Sequence, residues 1–287
     1  MAKLFSVRFD VDTHRCVREG MPALARLGRD LGAPFTFFVN MGRAVSRTTF
    51  IRRALGVRGG SRREGVASKF SARSKLGMGG YVYAALVNPR VGAGATHVIR
   101  EAASLGHEIG LHGGRNHAVW QEQGSDWERT RVAAEIDAVL PELTALLDGK
   151  PPAGFASPGW ATHPELPGVL AERGFSYVAD LHGPSPASGD AQASAGPLPM
   201  VRTQLTGEPG GVAYLEHLRA IGLSDAALEE RFIGDLERSG DHVVVYDHPY
   251  FAGIRQLSTI SRMVELARGS GYDVVPLAAL AAARAVT

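Results

Sequence analysis

A chain of 287 residues, 45% apolar and carrying a net charge of +2, is long enough to bury a full core, and its 35 glycines and 16 prolines fall short of the roughly 25–30% that marks a low-complexity chain. The lone cysteine, Cys16, excludes an intramolecular disulfide framework and a cysteine-rich metal knuckle, and it suits a reducing compartment. Ser6, Arg8 and Asp10 interrupt any amino-terminal signal region, and no run approaches the ~18–20 apolar residues of a membrane span, so the expectation is a cytoplasmic protein.

In chain order, strand-like apolar runs alternate with helical-period segments, as a parallel sheet with crossover helices requires. A strand over 4–9 ends in Asp10-Val11-Asp12 and precedes a helix over 17–31. A second strand, 34–39, is followed by residues 41–95, a Gly-rich and basic insertion expected to cap the site. Next come a helix over 96–105, a strand over 107–112, a helix over 128–148, a strand over 153–157, a helix over 164–173 and a strand over 175–179. Residues 183–199 have loop composition, and a strand over 198–203 overlaps their end. A helix over 225–239, with Ser224 as its cap, leads to a strand over 242–247, a helix over 257–270, a strand over 272–276 and a last helix over 277–285. This order predicts an α/β fold, a β/α barrel in one domain covering 1–287, since such barrels commonly form single units of roughly 250 residues.

The modest net charge conceals an asymmetry. Between Arg43 and Arg90 there are eleven basic residues against one acid, Glu64, a net of +10. Interleaved with Phe50, Ile51, Leu55, Phe70, Leu76, Tyr81 and Tyr83, residues 43–90 are suited to an anionic membrane surface or a lipid-linked phosphate, although a solvated basic loop has the same composition. No nucleic-acid motif accompanies the charge, and no nucleic-acid partner is expected.

Catalytic groups of β/α barrels collect at the carboxyl ends of the strands. Asp10, Asp12, His112, His117, Ser157, Asp180 and His248 all follow predicted strands. One carboxylate and two imidazoles, here Asp12, His112 and His117, can hold a divalent metal with positions left open for water and a carbonyl oxygen. Asp10 is then placed to take a proton from water and His248 to give one to a leaving amine, which is metal-assisted amide hydrolysis.

These residues carry a resemblance. Arg8-Phe9-Asp10-Val11-Asp12-Thr13, Gly110-Leu111-His112 with His117, Ser157-Pro158-Gly159-Trp160, Asp180 and Tyr246-Asp247-His248 resemble the motifs of the polysaccharide deacetylase superfamily, the NodB-homology or carbohydrate esterase 4 group. Arg18-Glu19-Gly20, Asn40-Met41-Gly42-Arg43, Val98-Ile99-Arg100-Glu101 and His117-Ala118-Val119-Trp120 are most similar to cytoplasmic deformylases acting on undecaprenyl-phosphate 4-deoxy-4-formamido-arabinose. The resemblance implies a distorted (β/α)7 barrel with a basic insertion between strands 2 and 3, and a divalent metal such as zinc, with cobalt, nickel or manganese as alternatives. It implies removal of an N-formyl or N-acetyl group from an amino sugar, probed against two alternatives: deacetylation of a soluble amino sugar or other small amide, and a non-catalytic carbohydrate- or lipid-binding relative. By resemblance Asp10 is the general base, Asp12 and His112 are metal ligands, His248 is the general acid, and Trp160 lines the site; Ser157 and Arg43 are substrate-binding candidates, Asp180 either binds the sugar or orients another group, and His14, next to the metal carboxylate, either contacts phosphate or lies at the surface.

The sequence departs from the superfamily pattern in two places. Its histidines are five apart rather than four, with Asn116 at the fourth position, and the flexible Gly113-Gly114 pair is expected to let His117 reach the metal instead. Ala156 stands where many members place an arginine that contacts the catalytic carboxylate.

Overall fold

The computed structural model describes residues 2–46, 87–184, 196–208 and 210–285. Strand β1 (Lys3–Val11) explains the architecture in miniature, because its sequence alternates with period two. Phe5, Val7, Phe9 and Val11 point into the outer apolar layer, whereas the buried Ser6, Arg8 and Asp10 point the other way, into the barrel. Outside, Phe5 meets Phe232 edge-on at 5.8 Å, and Phe9 stacks on Phe37 at 5.5 Å.

The remaining strands are β2 (Thr36–Val39), β3 (Glu108–His112), β4 (Gly154–Ala156), β5 (Tyr177–His182), β6 (Met200–Thr203), β7 (His242–Asp247) and β8 (Tyr272–Val274). They pair in parallel in the order β6-β5-β4-β3-β2-β1-β7. The short β8 pairs Lys3–Phe5 of β1, below the point where β2 takes over at Arg8. The seam between β6 and β7 is nearly closed. There the Gln204 Oε1 accepts from Val244 N at 2.9 Å, and Leu205 N donates to Val244 O at 3.0 Å. The result is a distorted seven-stranded parallel barrel flanked by helices, as the sequence predicts.

Helices among the described residues are α1 (Met21–Leu31), α2 (Thr96–Ser104), α3 (His117–Gln123), α4 (Arg129–Asp137), α5 (Leu140–Leu146), α6 (Leu166–Ala171), α7 (Tyr214–Ala220), α8 (Asp225–Ser239), α9 (Pro249–Arg255), α10 (Leu257–Gly269) and α11 (Leu277–Ala285). Two differences from the sequence reading have local causes. The helix expected over 128–148 is broken into α4 and α5, because Pro141 lacks an N–H and fits only the first turn of a new helix. The start of the helix expected over 17–31 is a π-turn, Cys16–Gly20. A Cβ on Gly20 would lie 1.9 Å from Pro249 O, so only glycine lets this turn pack against the start of α9.

The amino end of the barrel is plugged. Leu277, Leu280 and Ala281 of α11 pack on the inward Phe38, Ala156, Tyr177, Ala179, Val201 and Val244. Thr36 Oγ1 accepts from Leu277 N at 2.8 Å, and Glu108 Oε2 accepts from Ala278 N at 2.9 Å. Tyr177 donates to the other Glu108 oxygen at 2.6 Å. Only the carboxyl end is left for chemistry, and both ends of the insertion return there: Val91 N donates to Gly42 O at 2.7 Å, and Gly92 N to Asn40 O at 3.0 Å. The cap expected from the insertion lies mostly in 47–86, outside the described residues.

Candidate metal centre

Three donors from two strand ends converge at the open mouth. Asp12 follows β1, His112 closes β3, and His117 opens α3. The five-residue spacing is bridged by Gly113 in the left-handed region at φ 72°, where a Cβ would also lie 2.6 Å from Pro158 Cγ. Asn116 is committed elsewhere: it caps α3, its Oδ1 accepting from Val119 N at 3.1 Å and its Nδ2 donating to Val45 O at 3.0 Å.

Asp12 Oδ1 lies 3.2 Å from His112 Nε2 and 3.3 Å from His117 Nε2, and the two imidazole nitrogens are 3.2 Å apart. A tetrahedral cation about 2.0–2.1 Å from each donor requires donor–donor edges of about 3.3–3.4 Å, so the residues present fit a divalent metal. His112 donates Nδ1–H to Ala156 O at 2.9 Å, which leaves its Nε2 lone pair directed at the cage. Burial opposes ionisation of Asp12. The imidazoles around it, those of His117 and His248 first, outweigh it and hold the carboxyl well below the usual carboxylate range.

Asp10 reaches the cage beside His112, its Oδ2 3.8 Å from His112 Nε2. It is gripped from inside the barrel by Arg8, whose Nε and Nη2 each donate to one carboxylate oxygen at 2.9 Å. Arg8 is fully buried and also donates to Ala179 O. Burial raises the Asp10 carboxyl, but the charges of Arg8 and His112 bring it below its ordinary value. Asp10 is therefore ionised at neutral pH, as a proton acceptor must be.

His248 caps α9 and touches the other side of Asp12, its Nε2 3.2 Å from Asp12 Oδ2. Its Nδ1 lies 2.6 Å from Glu216 Oε1, and Tyr250 donates to Glu216 Oε2 at 2.7 Å. Asp247 ties this corner together by accepting from Leu215 N at 2.6 Å and from His248 N at 3.0 Å. Burial and the Glu216 charge push its carboxyl up to about 8.

Trp160 forms the wall. It holds a left-handed φ of 59°, a conformation that costs a bulky residue about 1–3 kcal/mol and clusters at functional sites. Its Nε1 donates to Gly211 O at 2.8 Å, and its ring covers the Arg8 guanidinium at 4.4 Å. Tyr246 and His182 pack against it at 5.3 and 4.9 Å.

Other sequence candidates lie nearby with different contacts. Ser157 N donates to Asp180 Oδ1 at 2.7 Å, and burial raises the Asp180 carboxyl despite that bond. His14, partly buried, hydrogen-bonds the Pro89 backbone. Arg43 is exposed; its guanidinium donates to Asn88 O, and its carbonyl accepts from His117 N at 2.8 Å, so it braces α3. The sequence reading gave no role to Arg8, Tyr246, Glu216 or His182. The alternation of β1 could have flagged Arg8 as inward-facing, whereas Glu216 sits in a short helix with no motif around it.

No family model matches the chain. A Mycobacterium smegmatis structure described as a polysaccharide deacetylase superposes with a TM-score of 0.62 at 17% identity, covering 100% of this chain and 93% of that one. A Pseudomonas aeruginosa structure of the same description gives 0.59 at 14% identity, covering 97% and 89%. The chain has the polysaccharide deacetylase fold. A Streptococcus mutans carbohydrate esterase 4 structure shares this deacetylase fold with a TM-score of 0.54 at 13% identity, covering 96% and 85%. In sequence, a Shewanella sediminis protein named as a 4-deoxy-4-formamido-L-arabinose-phosphoundecaprenol deformylase is 31% identical over 188 residues, 62% of this chain. The match spans 57% of that relative's length.

Proposed function

We propose that this protein is a metal-dependent amidohydrolase that removes an N-formyl or N-acetyl group from an amino sugar carried on a polyprenyl phosphate at the cytoplasmic face of the membrane. The observation that carries the hydrolase reading is the buried Asp12, His112 and His117 cage with Asp10 and His248 beside it. A divalent cation held by these three side chains supplies a Lewis acid that polarises a carbonyl and eases deprotonation of water.

The chain's own residues do the rest. Asp10, fixed by Arg8, takes a proton from the water whose oxygen attacks the amide carbon. His248, held through Nδ1 by Glu216, delivers a proton from Nε2 to the amine nitrogen as the C–N bond breaks. Formate or acetate and the free amine leave. Trp160 and His182 present ring surface at the mouth, suited to the apolar face of a sugar, and the buried Tyr246 ring backs Trp160.

The lipid-linked, formylated substrate is supported by the Shewanella relative's name and by the net +10 of residues 43–90. The test is amine release by the metal-loaded protein from formylated and acetylated amino sugars, each offered free and polyprenyl-linked. The formylated lipid-linked sugar is expected to turn over fastest. Preference for the soluble sugars overturns the lipid part, and absence of bound metal together with unchanged turnover in Asp12→Ala overturns the mechanism.

A further inference from the structure

Beyond the base, the acid and the cage, one hydroxyl at the mouth is placed on a reacting atom. Tyr246 lies beside Arg8 in the β1–β7 register and is 6% exposed. Its ring is fixed on three sides: the Arg8 guanidinium at 5.3 Å, the Trp160 ring at 5.3 Å and nearly perpendicular, and the His248 ring at 5.2 Å. Packing of this kind needs only an aromatic ring. The hydroxyl is additional, and it lies 2.9 Å from His248 Nε2.

The opposite ring nitrogen decides what that contact means. Glu216 accepts from Tyr250 on one oxygen and lies 2.6 Å from His248 Nδ1 with the other, so the Nδ1 position carries a hydrogen. Nε2 is then the atom that gains and gives up the transferable proton. An imidazole tethered at Nδ1 can swing about that bond unless Nε2 is held as well, and two groups lie within reach of Nε2, Asp12 Oδ2 at 3.2 Å and the Tyr246 hydroxyl, nearer, at 2.9 Å.

We propose that Tyr246 is a positioning residue for proton delivery: its hydroxyl donates to a bare His248 Nε2 and accepts from a protonated one, holding the ring in register before and after the transfer. When Nε2 gives its proton to the departing amine nitrogen, the phenol O–H turns to donate to the lone pair left behind. Tyrosine loses no proton: in this step the Nε2–H bond and the amide C–N bond break, and an N–H bond forms on the leaving amine. Burial, reinforced by the charges of Asp10 and Asp12, holds the phenol well above its ordinary range, so it is neutral throughout.

This inference rests on His248 being the proton donor of the amidohydrolase reading, and the experiment separates the two. Tyr246→Phe keeps the ring and removes the hydroxyl. The metal-loaded variant is compared with the wild type in melting temperature, metal content, kcat and KM, together with the imidazole 15N resonances of His248. The variant is expected to keep its fold and its metal, with KM within about twofold and kcat lowered about 10- to 100-fold, the loss of one hydrogen bond to a charged group. The Nε2 resonance is expected to shift from its wild-type position as the contact to the hydroxyl is lost, while Asp12 stays within reach. Unchanged kcat, an unmoved Nε2 resonance, a loss confined to KM, or loss of fold or metal would each overturn the proposal. If the wild type releases no amine, the hydrolase reading fails, while the Nε2 resonance still decides whether Tyr246 holds the ring.

Discussion

Arg8 and Asp10 form a fully buried ion pair on one face of one strand, and separating such a pair strands the surviving charge. Arg8→Met is expected to destabilise the fold by about 3–5 kcal/mol, read as a lower midpoint in urea denaturation. Glu216→Gln leaves the backbone untouched but weakens the bond to His248 Nδ1; kcat is expected to fall at least about tenfold with a smaller change in KM. At this scale the sequence was readable where a side chain ends a strand. Asp10, Asp12, His112 and His248 announce themselves in that way, and the glycines after His112 explain how His117 comes to lie beside the other two donors. Glu216 was not readable, because its role depends on α7 crossing behind β7, a contact that no local pattern encodes.

Among the elements, α11 closes the barrel floor, and its anchor is the half-buried acid Glu108. Burial raises the Glu108 carboxyl in the fold, so the native state holds that proton more tightly than the unfolded chain does. The resulting stability is complete below the unfolded carboxylate range and is lost as pH rises through the raised folded value. Glu108→Gln removes the ionisation while keeping an acceptor for Ala278 N, and its melting temperature is expected to fall less between about pH 5 and about pH 8 than that of the wild type. Leu280→Ala, at the plug itself, is expected to cost about 2–5 kcal/mol in denaturant unfolding. All eight strands among the described residues were foreseen, since each is a short apolar run bounded by turn residues. The helices α3, α7 and α9 were missed because seven residues hold too few turns to show a helical period.

For the whole molecule, the plug leaves one working end, where the donors, the aromatic wall and both ends of the basic insertion meet. The membrane part of the proposal makes its own prediction: vesicles containing anionic lipid are expected to sediment the protein at low salt and release it as ionic strength rises, because exposed charge is screened within about 8–10 Å at physiological salt. The account as a whole stands on the cage. Its most direct test is titration of the metal-free protein with cobalt(II), followed by visible absorption in the wild type and in His117→Ala. The wild type is expected to bind a single equivalent with the intense absorption of a four- or five-coordinate site, and the variant to lose that signal. No binding by the wild type, or the same spectrum and affinity in the variant, would contradict the account.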